Sequence, residues 1–594
     1  MDKRTLLAVV LSVIVITVGF IIQNTLYPPQ PAPEPREQTE QAAQEQPEQG
    51  PTGGTETQER PSEAGEIAAV EQQDLENLPP GVVRPVPIQG ATPQEDYVYE
   101  NDTVRVQFSA IGGAVESFQL LEHPDGDEPV EMILRGTEEQ RAFTTAFGGA
   151  EAAPTEAMFF RRDTTDSNVV EYYRDFYVTG QEEAPFRLIK RYTFQPGEYL
   201  FELDITLENS RNAFIPLNFD GTAYSLTVGP QIGPTYQTLD NRNEYRRFHY
   251  LEDGSREDVN IRGNGSERIE ERVGWAAIAG KYFAIIGVPD STQYGIVFSQ
   301  EEAAGLEDTA FMSFVRPVIR SSRSTDRYRF YVGPKTARVL ERYSDAEANA
   351  FGISNLELDT VVDRRFLFGW LESILKFILQ MIVQVVPNYG IAIIILTIIV
   401  KALLFPLTHK SYESTSRMQT LQPKIQELRE KHKDNPQKMN AEMAELYKKE
   451  GVNPLGGCLP MLLQFPFFIA MFGLFNNHFD LRGATFIPGW ITDLSAPDSI
   501  LHFDFTIPLI GWNDIRLLPI LFLGSQILTS MLMQSSTAQS SGQMKFMQFG
   551  LPVMFFFILY NMPSGLLVYW IFSNLLTLGQ QMFINKRRTR ASEA

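Results

Sequence analysis

The chain has 594 residues, with 51 Lys and Arg against 73 Asp and Glu, a formal net charge of −22 and a single cysteine. Such an acidic chain is a poor nucleic-acid binder, because neutralising phosphates needs an excess of basic residues. One cysteine excludes an intramolecular disulfide and a thiolate metal cluster. The charge is divided unevenly: residues 1–360 carry a net −27 and residues 361–594 a net +5. The two parts therefore belong to different environments.

The N-terminal segment predicts a membrane anchor over residues 1–27. Lys3 and Arg4 precede an uncharged apolar run over residues 5–22, which at about 1.5 Å per residue is close to the ~30 Å of a bilayer core. A cleaved signal peptide is the alternative, but its apolar region is usually only about 7–15 residues long and ends at a small-residue cleavage site, which is missing here. Residues 28–80 are rich in Pro, Gln, Glu and Gly, which predicts a disordered linker.

Residues 81–345 predict a large extracytoplasmic β-sandwich. Tyr199–Leu207 alternates apolar and polar residues, and it follows Phe186–Phe194 across a Gln-Pro-Gly-Glu turn, which is typical of a β-hairpin. Further candidate strands are Val104–Phe108, Val169–Val178, Gly295–Ser299 and Arg327–Val332. Only two histidines, His123 and His249, occur in this region, without a nucleophile motif. A structural or partner-binding module is therefore favoured over a catalytic one.

The C-terminal part predicts a membrane-embedded helical core. Residues 360–388 predict an amphipathic interfacial helix, because Glu372 and Lys376 lie one turn apart in an otherwise apolar segment. Residues 389–585 then hold five apolar segments that predict membrane spans: Ile391–Leu407, Cys458–Asn476, Leu517–Met533, Phe549–Tyr560 and Gly565–Phe583. The predicted fold is thus a multi-span α-helical membrane protein, with a five-helix core, an N-terminal anchor helix and an extracytoplasmic β-sandwich.

Basic loops decide the predicted orientation. Residues 408–453 hold nine Lys and Arg, and the tail at residues 586–594 is also basic. Both are expected in the cytoplasm, which places both termini inside, the large domain in the periplasm and the protein in the inner membrane. Residues 409–453 carry apolar stripes that predict a helical hairpin. A solvated hairpin and a docking site for a cytoplasmic partner both remain open.

Polar side chains inside the predicted spans are the candidate site, because each is costly in lipid unless it faces protein or water. Lys401 is the only charge well inside a span, and Thr397 lies one turn earlier on the same face. The other candidates lie in the third and last spans: Gln464, Tyr569, Trp570, Ser573, Asn574 and Thr577. If these side chains face one another, they would line a water-filled cavity. Alternatively, they are ordinary interhelical hydrogen-bonding residues. In that case the Lys401 side chain could partly extend toward the membrane interface.

Four stretches carry a family resemblance. They are IVKALLFPLT (399–408), MQTLQPKIQELREK (418–431), YKKEGVNPLGGCLP (447–460) and MPSGLLVYWIFSNLLTLGQQ (562–581). With their spacing they resemble the YidC/Oxa/Alb family of membrane protein insertases, and the full layout resembles its Gram-negative members. The resemblance implies a hydrophilic groove open to cytoplasm and lipid and closed toward the periplasm. The groove cation of the family falls on Lys401, where Arg is more usual, its substrate-contacting Thr on Thr397, and its aromatic pair on Tyr569 and Trp570, where a second Tyr is more usual.

The function implied is insertion and folding of inner-membrane proteins, without catalysis, cofactor or metal. The implied partners are nascent membrane proteins, the ribosome, the Sec translocon (SecYEG and SecDF) and the lipid bilayer, with no specific nucleic acid. Two other classes stay open: a small-solute transporter or channel, which solute flux in vesicles would reveal, and an enzyme housed in the β domain, which would lose its function if that domain were deleted. The loop at residues 477–514 is longer than the family leads us to expect, and nothing in the sequence assigns it a role.

Overall fold

A computed structural model describes most of the chain. The described residues are 81–88, 96–125, 127–133, 141–209, 215, 217–229, 245–290, 292–301, 309–363, 368–432, 435–451, 459–507, 512–533 and 549–593. The predicted anchor at residues 1–27 and linker at residues 28–80 lie outside them. The chain divides into two compact units: residues 414–456 belong to one, and residues 79–413 and 457–594 form the other.

The β domain is built from antiparallel strands. The strands are β1 (Val83–Pro85), β2 (Tyr97–Glu100), β3 (Val104–Ser109), β4 (Ala114–Asp125), β5 (Glu128–Glu131), β6 (Thr144–Ala146), β7 (Phe160–Arg162), β8 (Val169–Val178), β9 (Phe186–Thr193), β10 (Leu200–Asn209), β11 (Thr222–Val228), β12 (Arg247–Glu252), β13 (Ser255–Val259), β14 (Gly265–Ile269), β15 (Ala276–Ala279), β16 (Phe283–Pro289), β17 (Gly295–Glu301), β18 (Thr309–Pro317) and β19 (Arg323–Pro334). All six strands expected from alternation are confirmed. They could be predicted because alternation along a half-buried strand is a local property.

Among the described residues, three sheets form the sandwich. A ten-stranded sheet has the order β1-β8-β9-β10-β19-β16-β15-β12-β13, with β7 beside β8. A five-stranded sheet (β14-β17-β18-β11-β6) and a four-stranded sheet (β2-β3-β4-β5) complete it. Consecutive strands pair in the predicted hairpin, where Leu203 lies opposite Tyr192. The predicted β-sandwich is therefore confirmed.

Both smaller sheets cover one face of the large sheet. Phe201 and Phe330 are cross-strand partners on that face. The ring of Phe118, from the four-stranded sheet, lies 5.9 Å from Phe201, and the ring of Phe314, from the five-stranded sheet, lies 5.8 Å from Phe330. A Cβ at Gly287 would come within 2.5 Å of the Phe314 ring, so the close approach of the two sheets excludes any side chain there. Aromatic packing between the layers thus forms one continuous core.

The β domain continues past residue 345. The short helix α1 (Ala337–Leu340) and a segment reaching Asp363 pack on it, with Leu358 and Val361 fully buried in the sandwich core. Arg256 donates to the Val361 carbonyl and to the Asp363 carboxylate, at 3.1 Å each. Residues 360–363, which were predicted to belong to the interfacial helix, are therefore attached to the β domain by buried apolar contacts and ion pairs.

Seven further helices follow in the described part of the chain. They are α2 (Gly369–Val385), α3 (Tyr389–Lys431), α4 (Pro436–Lys449), α5 (Leu459–Asn477), α6 (Leu517–Met533), α7 (Leu551–Leu559) and α8 (Ser564–Glu593). Among the described residues, Tyr389–Pro406 is the one segment long and apolar enough to cross a membrane, and Gln464–Asn476 and Leu517–Met531 are shorter apolar helices. The helical membrane region expected from the sequence is confirmed. A small hairpin, β20 (Leu501–Ile507) with β21 (Trp512–Ile515), lies between α5 and α6.

Helix α2 has two apolar faces. Leu371, Leu375 and Leu379 recur at one-turn spacing and are buried in the helical core. Other large apolar side chains of the same helix are exposed: Trp370, Ile374, Phe377, Met381 and Val385. An apolar outer face of this kind suits a helix that lies against lipid as well as against protein.

Helix α3 does not end at the predicted boundary between span and cytoplasmic hairpin. It runs for 43 residues from Tyr389 to Lys431, although the sequence predicts two separate elements that meet near Thr408. Pro406 removes only one backbone hydrogen bond, and no turn residues accompany it, so the helix continues. Within the separate unit at residues 414–456, Leu421 and Ile425 pack against Met443, Leu446 and Tyr447 of α4.

Candidate functional site

Three helices carry the candidate polar residues. Helix α3 holds Thr397 and Lys401, α5 holds Gln464, and α8 holds the remaining five. Residues four apart on a helix share a face. One face of α8 therefore carries Tyr569, Ser573 and Thr577, and the adjacent face carries Trp570 and Asn574.

The Lys401 ammonium joins the three helices. Its Nζ donates to Thr577 Oγ1 at 2.9 Å and lies 3.3 Å from Gln464 Oε1. Gln464 Nε2 in turn donates to Ser573 Oγ at 3.1 Å. Lys401, Gln464, Ser573 and Thr577 thus form one hydrogen-bonded group, called the polar cluster below. Partners so distant along the chain could not be read from the sequence.

The polar cluster contains no negative charge. An ammonium has three donors and no acceptor, and the two contacts of Lys401 are to neutral oxygens. No Asp or Glu in the described part of the chain forms an ion pair with Lys401. A partly buried cation satisfied only by neutral groups can still bind a carboxylate that comes within reach.

Thr397 and Tyr569 lie beside the polar cluster and are buried. Thr397 is fully buried, and its hydroxyl donates to the Ile393 carbonyl at 2.7 Å within its own helix. The ring of Tyr569 is buried and lies 5.9 Å from the ring of Phe475. Neither side chain is presented to solvent in this conformation.

Trp570 and Asn574 belong to a different contact. The Trp570 indole packs between Phe468, at 4.7 Å between ring centroids, and Phe522, at 4.9 Å. Asn574 Nδ2 donates to Ser525 Oγ of α6 at 2.9 Å. These two predicted residues therefore line the boundary of α8 with α6, one helical line away from the polar cluster.

Two polar partners were not among the sequence candidates. Ser525 is buried and accepts from Asn574. Thr408 is buried and accepts from Gln580 Nε2 at 3.2 Å. Ser525 lies one turn before Thr529 on α6, so helical spacing was the available signal. Thr408 lies about two turns after Lys401 on the same face of α3, so helical spacing was an available signal there as well.

Residues 478–500 pack over one end of the helices. Ser564, at the start of α8, donates from its N–H and its hydroxyl to the Ala496 carbonyl, at 2.8 and 2.7 Å. The Asp498 Oδ2 accepts from the N–H groups of Leu517 and Leu518, at 2.8 and 3.0 Å, and so caps α6. Near the start of α3, a Cβ on Gly390 would overlap the Phe486 ring, which explains the glycine. Helices α3, α6 and α8 all begin at this packed end.

The packed end is the one that contacts the β domain. Arg482 donates to the Pro124 carbonyl at 2.6 Å and to the Asp125 carboxylate at 2.9 Å. The Phe479 ring lies 5.2 Å from His123 and 5.4 Å from Phe283. Residues 478–500 therefore separate the helices from the β domain, which gives the unexplained long loop a structural position.

The polar cluster lies at one depth in the helical region. At about 1.5 Å per residue, Lys401 is about 18 Å along α3 from Tyr389, and Thr577 is about 20 Å along α8 from Ser564. Gln464 is about 20 Å along α5 from Asn477, at the same end. In a hydrocarbon core of ~30 Å the cluster would lie in the half away from the β domain.

Comparison with known proteins identifies both regions. The family model described as "YidC periplasmic domain" matches residues 97–381, and the one described as "60Kd inner membrane protein" matches residues 381–591. The chain is 39% identical to the membrane protein insertase YidC of Treponema denticola over 99% of both chains. It is 35% identical to that of Treponema pallidum, over 99% of this chain and 100% of the relative.

Solved structures of the same family are also similar. One is described as an active YidC insertase with its first transmembrane domain resolved; it has 17% identity and a TM-score of 0.34, over 87% of this chain and 97% of that one. The matched sequence models cover the β domain and the helices alike, and the relatives align over nearly their whole length. The chain therefore belongs to the YidC family of membrane protein insertases, with a periplasmic β domain followed by an inner-membrane helical core.

Proposed function

We propose that this insertase draws the hydrophilic, translocated part of a nascent membrane protein to the polar cluster, with Lys401 as the attracting charge. The observation that carries the proposal is the ammonium of Lys401, hydrogen-bonded only to neutral oxygens of Gln464 and Thr577 among the described residues. The preferred substrates would be proteins with one membrane span and a short translocated tail that contains Asp or Glu.

The attraction between Lys401 and an acidic side chain is comparable with the cost of bringing that side chain into the membrane. A carboxylate 4 Å from an ammonium gains about 4 kcal/mol at an effective dielectric constant of about 20. Moving an acidic side chain to the middle of a membrane helix costs about 2.5–3.5 kcal/mol on insertion scales. One pairing with Lys401 would therefore be large enough to offset the cost for one acidic residue. Gln464 and Ser573 would donate hydrogen bonds to, or accept them from, neutral polar groups of the same tail.

The apolar segment of the substrate would follow a separate path. The Trp570 indole is partly exposed beside Phe468 and Phe522 and offers an apolar face one helical line from the polar cluster. Thr397 and Tyr569 are buried at present, so their contact with substrate would require the helices to separate. We propose that the acidic tail occupies the polar cluster while the apolar helix passes Trp570 into lipid.

The packed end supports insertion rather than solute transport. Residues 478–500 fill the end of the helices beside the β domain, through the hydrogen bonds of Ser564 and Asp498. A channel needs a polar path to both sides, whereas the polar cluster lies far from this end. A tail that enters from the cytoplasmic side would be brought part of the way across and released sideways.

Substitution of Lys401 tests the proposal. Lys401→Ala should reduce insertion of a substrate with an acidic translocated tail, and Lys401→Arg should retain it, because the positive charge persists. A tail with Asn and Gln in place of Asp and Glu should be insensitive to either change. Lys376→Ala is the matched control, since it removes an exposed lysine from α2, away from the cluster. Insertion is measured by protease protection in cells depleted of the native insertase, at equal protein abundance.

The electrostatic role would be wrong if Lys401→Ala inserted acidic and neutral tails as well as the unchanged protein does. If Lys401→Ala impaired both kinds of tail equally, Lys401 would serve the packing of the helices instead. The two outcomes are distinguishable because only the first leaves insertion of every substrate intact.

We also propose the finer partners and topology that the sequence suggests. Both termini would lie in the cytoplasm, and the protein would act without covalent chemistry. The hairpin of α3 and α4 would contact the ribosome, supported by the basic residues of the segment 408–453. Substrates with large translocated domains would need the Sec translocon as well. Ribosome cosedimentation with and without residues 409–453 would test the first of these contacts.

A further inference from the structure

The hairpin of β20 and β21 separates apolar from polar side chains. Alternate residues of β20 are apolar, and the rings of Phe503 and Phe505 lie 5.3 Å apart on one side. His502, between Leu501 and Phe503 in the chain, pairs with Asp514 of β21, at 3.0 Å between Nδ1 and the carboxylate. The hairpin therefore has an apolar face and a polar face.

The apolar face is not covered by the rest of the described chain. Leu501 is 52% exposed and Phe505 is 63% exposed, and the preceding Ile500 is 49% exposed. Among the described residues of the β domain, the large apolar side chains exposed to a comparable degree are Ile88 and Val98 alone. The hairpin thus has a surface like that of the membrane helices, not like that of the periplasmic domain beside it. A cluster of exposed apolar residues marks a contact surface.

The hairpin is fixed to the end of a membrane helix. The Trp512 ring stacks on Tyr560, which follows α7, at 3.5 Å between centroids, and lies 5.7 Å from Phe557. The Tyr560 hydroxyl donates to the Asp514 carbonyl at 2.7 Å. Arg516 donates to the Tyr560 carbonyl at 2.9 Å. Trp512 lies beside the turn of the hairpin and Asp514 and Arg516 lie toward its base, so these contacts hold β21 along its length against the periplasmic end of α7.

The exposed surface of α7 continues into the hairpin. Val553, Met554, Phe557 and Ile558 are 41–52% exposed on α7, a helix composed entirely of apolar residues. Lipid covers such a surface in a membrane-spanning helix. The stack of Trp512 on Tyr560 lies between this surface and the hairpin, and Trp and Tyr concentrate at the interface of membrane and water.

We propose that the hairpin of β20 and β21 binds lipid and lies on the periplasmic leaflet, with Leu501 and Phe505 in the apolar boundary and the His502–Asp514 pair toward water. The occupant of the apolar face is phospholipid, because this face continues the lipid-facing surface of α7. The hairpin would hold the helices that it joins, α5 and α6, at a fixed height in the bilayer. The proposal does not depend on the polar cluster at Lys401.

Fluorescent labelling tests the contact. Cys458 is the only cysteine, so Cys458→Ser allows a single cysteine to be placed at Phe505, at Leu501 or at the control positions His502 and Val98. His502 and Val98 are exposed as well and lie on the polar face and on the β domain. The full-length variants are labelled with an environment-sensitive dye and reconstituted in vesicles of phosphatidylethanolamine and phosphatidylglycerol.

Labels at positions 505 and 501 should show blue-shifted emission and lose fluorescence when spin-labelled lipids are included. Labels at positions 502 and 98 should lose fluorescence to aqueous iodide instead. The proposal is overturned if the label at 505 is as sensitive to iodide as that at 502 and insensitive to the lipid quencher. It is also overturned if the labels at 505 and 501 are shielded from both quenchers, because a protein surface would then cover the hairpin.

Discussion

Asp498 is the residue whose replacement should most clearly loosen the packed end. Its Oδ2 accepts from the backbone N–H groups of Leu517 and Leu518, at 2.8 and 3.0 Å, and from Trp490 Nε1 at 3.0 Å. The side chain is buried. It therefore caps α6 and anchors the loop to that helix at the same time. Asp498→Ala removes all three hydrogen bonds.

The expected loss follows from these contacts. Removing a helix cap costs about 1 kcal/mol. An indole N–H left without a partner costs about 1–3 kcal/mol when fully buried, and Trp490 is only partly buried, so the lower value applies. The free energy of unfolding should fall by about 2 kcal/mol, which for a helical unit of this size lowers the Tm by roughly 4–8 °C. Asp498→Asn keeps an acceptor and should cost about 1 kcal/mol or less, because it loses the favourable charge at the helix N-terminus.

Thermal unfolding of the full chain in detergent, followed by tryptophan fluorescence and aggregation, measures these shifts. Asp493→Ala is the matched control, since Asp493 accepts one local hydrogen bond, from the Ser495 N–H at 2.7 Å. The reasoning would be refuted if Asp498→Ala and Asp493→Ala unfolded at the same temperature. Because α6 also carries Phe522, which packs on Trp570, Asp498→Ala should in addition slow insertion.

Two further predictions concern packing and pH. Gly390→Ala should lower the free energy of unfolding by about 1–3 kcal/mol, because the added Cβ would overlap Phe486. Gly524→Ala is the control: a Cβ there would meet no atom within 4 Å, so the change should be neutral or stabilise by up to about 1 kcal/mol. Equal folded yields of the two variants would contradict this. Burial tends to raise the pKa of Asp363, but Lys335 and two arginines outweigh it and hold that pKa below its ordinary value. The carboxylate therefore adds stability at neutral pH that is lost as the pH falls through its folded pKa. Unfolding at several pH values compares the unchanged chain with Asp363→Asn. The difference in their free energies of unfolding should shrink toward acid pH, and a constant difference would contradict this.

Local sequence patterns were sufficient to predict most of the strands and helices. Strand β10 was readable because Leu203, Ile205 and Leu207 are buried in alternation with Glu202 and Asp204, and such alternation needs no knowledge of the partner strand. The apolar segments of α3, α5, α6 and α8 were readable for the same reason. Where the local signal was weak, the boundary was misplaced. The joint near Thr408 is continuous helix, and residues 360–363 belong with the β domain because Val361 and Asp363 have partners far away in the chain.

The sequence by itself determined which side chains are costly in a membrane, since Lys401, Gln464 and Thr577 interrupt apolar helices and hydropathy is a property of each residue. It also determined the charge division between the acidic β-domain part of the chain and the basic segments at residues 408–453 and 586–594. Tertiary structure alone decided which of these side chains meet, because Lys401 reaches Thr577 through the packing of α3 against α8. The tertiary structure also places Trp570 and Asn574 outside the polar cluster. It also decided the position of the long loop, whose contacts with helix ends and the β domain depend on residues hundreds of positions apart.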